Sequence, residues 1–242
     1  MAKSTNVGTV AVDLNLNTSK YNNQLNEKIK GTESAFSNSF KKIGTFVASA
    51  FAVKKIADFS KTCIDSASKV QNAFTGLNSI VQGTGNSFSQ AQDFINKYTA
   101  DGLVSIEETA TAYKNLLSRG YDSSQIEDVL NRLKDSAAFG RQASYDLGEA
   151  VVTATEGLKN ENSILVDNAG VTKNVAKMWE EYAKHIGKSS TALTQAEKIQ
   201  AEYNGIMNET KFQVGDAANY TKTFSGQMQQ LKFNFNQMTV AI

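Results

Sequence analysis

Three consecutive residues, Gly187, Lys188 and Ser189, match the end of the loop that binds nucleotide phosphates in many proteins. His185, the only histidine, stands two residues earlier and is a side chain that could act as an acid or base near neutral pH. The complete loop motif also needs a glycine at position 182 and a strand in front of it, but Tyr182 follows a segment with helical apolar spacing. We therefore predict a helix that ends at a left-handed Gly187, and not a nucleotide site.

The cysteine and the paired carboxylates do not predict a catalytic or metal site either. One cysteine and one histidine exclude an internal disulfide and a zinc site built from those residue types. Cys63 lies on an apolar helix face without a nearby histidine, so we expect a core residue and not a nucleophile. The adjacent pairs Glu107-Glu108 and Glu180-Glu181 point to different sides of a helix, which makes them poor acid and base partners. We expect no enzyme activity, no cofactor and no metal ion.

The elements that carry these residues are predicted to be mainly α-helices. The chain has no proline, so long helices can run without kinks. Ser105 with Glu108 and Thr194 with Glu197 have the spacing of capping boxes, and Gly120 is a predicted helix stop. Asn160–Gly170 is predicted to be a loop and Ser189–Leu193 a connector. The apolar spacing predicts helices over residues 88–99, 106–119, 145–159, 172–186 and 195–208, and from 224 onward. A further helix is predicted to begin after a cap at Asp122 or Ser123 and to end at Phe139-Gly140.

In the amino-terminal part, the spacing of the apolar residues changes from one period to another. Alternating apolar residues over 10–16 predict one short strand, and the period becomes helical over 19–82. Within that helical stretch the apolar residues step alternately by three and four, as in a coiled-coil seam. The resulting candidate surface for self-association or core packing consists of Val53, Ile56, Cys63, Ala67, Val70, Phe74, Leu77 and Val81.

These patterns give a domain organisation for an all-α protein with one short strand. We expect an amino-terminal strand or arm over 1–17 and a long, coiled-coil-type helical segment over 18–82. A multi-helix bundle is predicted over 87–215, and a truncated amphipathic helix over 216–242.

Charge and hydropathy restrict the partners. The net charge is +1, which argues against a dedicated nucleic-acid binder. Lys and Arg outnumber Asp and Glu over 20–69, and the reverse holds over 93–167. Solvated helix faces explain this asymmetry, and self-association or a charged partner is the alternative. The longest uncharged apolar run, 43–53, is far shorter than the ~20 residues that span a bilayer.

The run over 137–207 resembles the amino-terminal conserved region of phage tail tape measure proteins. Its most specific part is 156–200, and the segments 7–25 and 224–238 are similar to the start and end of that region. The resemblance implies a helical protein that occupies the lumen of the tail tube during assembly. It implies further that the length of the protein sets tail length, and that the protein leaves ahead of the genome.

The resemblance also implies partners and a location. The expected partners are other copies of the chain in the tail lumen, the tail tube protein, tail assembly chaperones and tail-end proteins. The expected location is the virion tail, and the host cytoplasm during assembly. No specific nucleic acid and no membrane contact through this segment are expected. The alternatives are a helical protein-binding module, a secreted helical effector without catalysis, and a lytic enzyme.

Overall fold

The computed structural model describes residues 50–240, and it gives side-chain burial for Asp65 and residues 67–234. Over 50–240 the backbone forms ten α-helices and one 3-10 helix, and no strand is found in this range. The strand predicted over 10–16 and the helix predicted before residue 50 lie outside the described residues. The helices are α1 Ala50–Gly83, α2 Phe88–Thr99, α3 Ile106–Arg119, α4 Ser123–Gly140, α5 Leu147–Lys159, α6 Ser163–Asp167, α7 Val175–His185, α8 Gln195–Glu209, α9 Asp216–Tyr220 and α10 Phe224–Val240, and the 3-10 helix is Ser190–Ala192.

Lys69–Asn234 form one compact unit, which is called the body below. The start of α1 and the end of α10 belong to a second unit. In the body, α3 packs most extensively against α5, and α5 packs against α4 and α6. Apolar side chains at helical spacing fill the space between these helices. The largest fully buried ones include Tyr113, Leu116, Leu130, Leu133, Leu147 and Leu158.

The predicted helix ends are confirmed by their hydrogen bonds. The Glu108 N–H donates to Ser105 Oγ over 3.2 Å, and the Ser105 N–H donates to Glu108 Oε2 over 2.8 Å. Thr194 and Glu197 form the same reciprocal pair at the start of α8. Gly120 follows α3 with a left-handed φ of 109°, which few residues other than glycine adopt readily. These contacts satisfy backbone groups that a helix end leaves without partners.

The loop predicted over 160–170 is wrong in part, because it contains the short helix α6. A Cβ on Gly157 of α5 would lie 2.7 Å from the carbonyl oxygen of Asn162 and 2.8 Å from the backbone nitrogen of Val166. The backbone of α6 therefore packs directly on α5, and Val166 is buried there. A helix of five residues is too short to be stable alone or to show a period in sequence, so packing decides it.

Candidate functional site

The Gly-Lys-Ser stretch is a helix terminator. Gly187 has a left-handed φ of 71°. Its N–H donates to the carbonyl oxygen of Lys184 over 3.3 Å, and the Lys188 N–H donates to that of Ala183 over 2.8 Å. This pair of bonds is the Schellman motif. Because both N–H groups are used inside the protein, they are not available to a phosphate, and the prediction of a helix stop at Gly187 is confirmed.

Lys188 continues the connection to the next helix. Its ammonium group forms an ion pair with Glu197, the third helical residue of α8. The hydrogen bond from Lys188, followed by that from the Thr194 backbone, lowers the pKa of the Glu197 carboxyl. His185 lies exposed at the end of α7. The residues that could have formed a nucleotide site instead connect α7 to α8.

A cluster of polar side chains surrounds one buried carboxylate. Its members come from the end of α3, the α5–α6 turn, α7 and α8. This Glu202 cluster consists of Arg119, Tyr121, Glu161, Trp179 and Glu202. Glu202 is fully buried and Arg119 is 9% exposed. Arg119 Nη2 lies 2.6 Å from Glu202 Oε1, and Arg119 Nη1 lies 2.8 Å from Glu161 Oε1. The cluster therefore places a chain of alternating charges between the end of α3, the α5–α6 turn and α8.

The hydrogen-bonding capacity of Glu202 is used completely. Its Oε1 accepts from Arg119 Nη2 and from Trp179 Nε1, the latter over 3.0 Å. Its Oε2 accepts from the Tyr121 hydroxyl over 2.8 Å and from Arg119 Nε over 3.4 Å. A carboxylate offers about four acceptor positions. No position is left for a substrate proton or a metal ion, so the geometry of Glu202 is that of a structural anchor.

The electrostatics of the cluster keep Tyr121 neutral and Arg119 charged. Burial raises the pKa of the Tyr121 hydroxyl well above its usual value, and the negative charge of Glu202 raises it further. Burial alone lowers the pKa of Arg119, but the bonds and charges of Glu202 and Glu161 outweigh it and raise the pKa overall. Tyr121 therefore stays a hydrogen-bond donor and Arg119 stays a cation.

Glu161 is held in an unfavourable backbone conformation. Its φ is 56°, and it is the one non-glycine residue with a positive φ in the described part of the chain. Such a residue costs on the order of 1–3 kcal/mol and persists where its surroundings fix it. Arg119 and Lys198, whose Nζ lies 3.3 Å from Glu161 Oε1, provide these contacts. Lys198 Nζ also lies 4.2 Å from the centroid of the Trp179 ring.

The sequence analysis does not predict this cluster, because it assigns acidic residues only to capping boxes and solvated helix faces. One signal was present. Glu202 lies three residues after Ile199 and four before Ile206, so it shares the apolar face of α8 with two buried isoleucines. A charge on an apolar helix face requires a buried partner.

The buried lysine of the body is also satisfied internally. Lys134 Nζ donates to the carbonyl oxygen of Tyr98 over 2.6 Å and lies 2.5 Å from Asp101 Oδ2. Burial lowers the pKa of Lys134, and the charge of Asp101 opposes that change. Nucleophilic lysines are desolvated without such a counterion. The ammonium group of Lys134 therefore connects α2 to α4 and has a counterion that such lysines lack.

Two features are absent from the described part of the chain. Among those residues, no group of histidine, cysteine, aspartate and glutamate side chains could hold a metal ion. None of their helices has the length and apolar character needed to cross a membrane.

The predicted seam on α1 is only partly described. Ala67, Phe74, Leu77 and Val81 are buried, and Val70 is half-buried. Within the body, the Phe74 ring meets the Phe88 ring edge-on, with centroids 6.2 Å apart. The side chains of Val53, Ile56 and Cys63 lie outside those that the structure describes. The carboxyl half of the seam therefore contributes to packing of the folded chain.

The face of α10 that contacts the rest of the body carries two glutamines and one phenylalanine. Gln229 Nε2 donates to the carbonyl oxygen of Leu103 over 2.5 Å, and Gln230 Nε2 donates to that of Asp101 over 2.8 Å. Next to them the Phe233 ring covers Gly102, where a Cβ would lie 3.3 Å from Phe233 Cδ1. Two amide side chains and one aromatic ring thus hold this helix in place.

The opposite side of α10 is apolar and exposed. Phe224 is 78% exposed, Met228 49% and Leu231 62%. Because they are spaced by four and three residues, they form one line on the helix surface, called the outer stripe below. The spacing predicted an amphipathic helix, and the structure shows that its apolar side faces outward. Among residues 67–234, the other exposed large apolar residues are Phe139, Ile164, Phe212 and Val214. Outward apolar surface of this kind marks a candidate protein-binding site.

The comparisons with known proteins give no family. No protein-family model matches the chain, and no solved structure matches it.

Proposed function

We propose that this chain is the amino-terminal part of a phage tail tape measure protein. In this role it is a structural and assembly protein without catalysis. It occupies the lumen of the tail tube in the virion before genome ejection, and the length of the full protein sets the length of the tail. Its partners are further copies of itself, the tail tube protein, assembly chaperones and tail-end proteins.

The outer stripe of α10 is the observation that carries a role in assembly. Three large apolar side chains on one line of a helix cost free energy in water unless another protein covers them. The state of the buried ionisable residues agrees with this role. Glu202 and Lys134 are both satisfied by neighbouring groups, as in a structural protein.

The resemblance of residues 137–207 supports the more specific role of a ruler. An α-helix rises about 1.5 Å per residue, so a helical chain translates its number of residues into length.

The test is a set of in-frame deletions and duplications in the intact gene, placed outside the codons for residues 1–242. Tail length is measured by negative-stain electron microscopy. Removal of 70 helical residues should shorten the tail by about 100 Å, and a duplication of the same segment should lengthen it equally. The matched control replaces the segment with an unrelated helical sequence of the same length and should leave tail length unchanged. Normal tails of unchanged length after both edits would refute the proposal.

A helical protein-binding module is the second candidate, because the exposed Phe212 and Val214 suit a partner outside a tail equally well. The two candidates differ in where the protein is found. A tape measure protein is present in purified virions or tail assemblies, whereas a free-standing module is absent from both.

A further inference from the structure

The described part of α10 is attached to the body without a buried apolar side chain. Over 224–234 the one buried residue is Gly226, whereas every other α-helix of the body buries at least one apolar side chain. The residues that contact the turn after α2, which are Gln229, Gln230 and Phe233, are only half-buried. Because burial of apolar surface is the main term that holds helices together, this part of α10 has the weakest hydrophobic attachment in the body.

The amino end of α10 is fixed more firmly than the residues that follow. A Cβ on Gly226 would lie 2.0 Å from the carbonyl oxygen of Tyr220, so the first turn of α10 packs on the backbone at the end of α9. The Gly226 N–H donates to Thr223 Oγ1 over 3.0 Å. Tyr220 is itself buried, and its hydroxyl accepts from Arg141 Nη2 over 2.9 Å. These contacts anchor α10 at one end.

Beyond this anchor, two hydrogen bonds and one aromatic ring attach α10 to the turn 101–103. Gln229 and Gln230 donate to backbone carbonyl groups of that turn, and each such bond shifts an equilibrium by only about 2- to 12-fold because both groups can bond to water instead. With the half-buried Phe233 ring, the attachment amounts to on the order of 100-fold. A folded domain is favoured over its unfolded state by roughly 5,000-fold or more. Detachment of α10 therefore costs less than unfolding of the body.

A detached α10 would lose its helical structure as well. Isolated helices of about 12–15 residues are marginal even when they are rich in alanine. The 17 residues of α10 contain no alanine, and glycine, serine, threonine, asparagine and phenylalanine are weaker helix formers. The backbone N–H groups of the detached segment would therefore exchange with solvent.

We propose that residues 227–234 of α10 form a releasable arm, which detaches from the turn 101–103 while the rest of the body stays folded. The released form is a minority on the order of 1%, as an attachment of about 100-fold requires. Release exposes Phe233 in addition to Met228 and Leu231, and it uncovers the carbonyl groups of the turn. A polypeptide that contacts both sides of the arm therefore binds only after release. The attachment to the turn thus controls access to α10, and this control does not depend on the proposed tape measure role.

Hydrogen–deuterium exchange of the full chain at pH 7, followed by mass spectrometry, tests the proposal. Amides over 229–234 should exchange at least ~10-fold faster than those over 113–117 and 151–158, which lie in the buried α3–α5 contact. The double variant Gln229→Ala, Gln230→Ala removes both hydrogen bonds and keeps good helix formers. It should speed exchange over 229–234 by about 4- to 100-fold and leave the α3–α5 amides unchanged.

The matched control is Gln227→Ala with Asn234→Ala, which removes two exposed amide side chains from the same helix and should exchange like the wild type. Three outcomes would overturn the proposal. In the first, amides over 229–234 exchange as slowly as those of α3 and α5, so that α10 opens only when the whole body unfolds. In the second, the Gln229, Gln230 variant leaves exchange over 229–234 unchanged, so that the turn does not hold the arm. In the third, that variant speeds exchange in α3 and α5 equally, so that the arm and the body open together.

Discussion

Replacing Glu202 by glutamine removes one charge from the Glu202 cluster and keeps its size. The amide oxygen can still accept from Arg119 Nη2 and Trp179 Nε1, and the amide NH₂ group can donate to the Tyr121 hydroxyl oxygen. That NH₂ group then faces Arg119 Nε, which loses its acceptor. The guanidinium, whose side chain is 6% exposed, keeps Glu161 as its one counterion.

The expected cost follows from this geometry. Removal of one partner from a buried ion pair typically costs about 3–5 kcal/mol, because the other charge stays buried without compensation. Glu161 remains 2.8 Å from Arg119 Nη1, although its side chain is 37% exposed. Since this second counterion reduces the penalty, we expect Glu202→Gln to lower the free energy of unfolding by about 3 kcal/mol. A domain is usually stable by about 5–15 kcal/mol, so the variant should still fold.

Urea denaturation at pH 7 measures this effect. Far-UV circular dichroism follows the helices. The fluorescence of Trp179, the only tryptophan, follows the cluster directly because its Nε1 donates to Glu202. The matched control is Glu180→Gln, which breaks the exposed Lys177–Glu180 pair of 3.1 Å and should cost less than ~0.5 kcal/mol. A loss below about 1 kcal/mol for Glu202→Gln would refute the role of Glu202 as a buried charged anchor.

Two further substitutions, each with a matched control, have predicted effects on stability. Burial raises the pKa of the Glu108 carboxyl above its ordinary value of 4.5. The protonated carboxyl therefore contributes to the stability of the folded protein at low pH, and this contribution is lost as the pH rises from 4.5 through the raised pKa. Glu108→Gln keeps the capping box and should raise the melting temperature slightly at pH 7 but not at pH 4, whereas exposed Glu107→Gln should show no such difference. Gly157→Ala puts a Cβ 2.7 Å from the Asn162 carbonyl oxygen and should cost about 1–3 kcal/mol in urea denaturation. Gly76→Ala in α1 meets no atom within 4 Å and should be neutral or stabilising; an equal loss in both alanine variants would contradict the packing argument.

Helix boundaries were predictable where the signal is local. A capping box such as Ser105 with Glu108 joins residues that are three positions apart, and the stops at Gly120 and Gly187 need only a residue that adopts a positive φ. The bonds involved form within one or two turns of the helix itself. Sequence spacing was therefore sufficient to place them.

The Glu202 cluster was not predictable in this way. Arg119 and Glu202 are 83 positions apart, and the hydrogen bonds between them exist only after α8 packs beside the end of α3. Helix α6 was missed for a related reason, since its five residues are stabilised by contact with Gly157 and not by their own propensity. In both cases the stabilising partner is distant in sequence.

Helix α10 shows most clearly what the sequence determines and what only the tertiary structure decides. The sequence alone determined that residues from Phe224 onward form a helix with one apolar line, because spacing by three and four residues fixes which side chains share a face. Periodicity does not determine which face meets the rest of the protein. The tertiary structure decided that, since Gln229 and Gln230 bind backbone carbonyl groups near Gly102 and thereby direct Met228 and Leu231 outward.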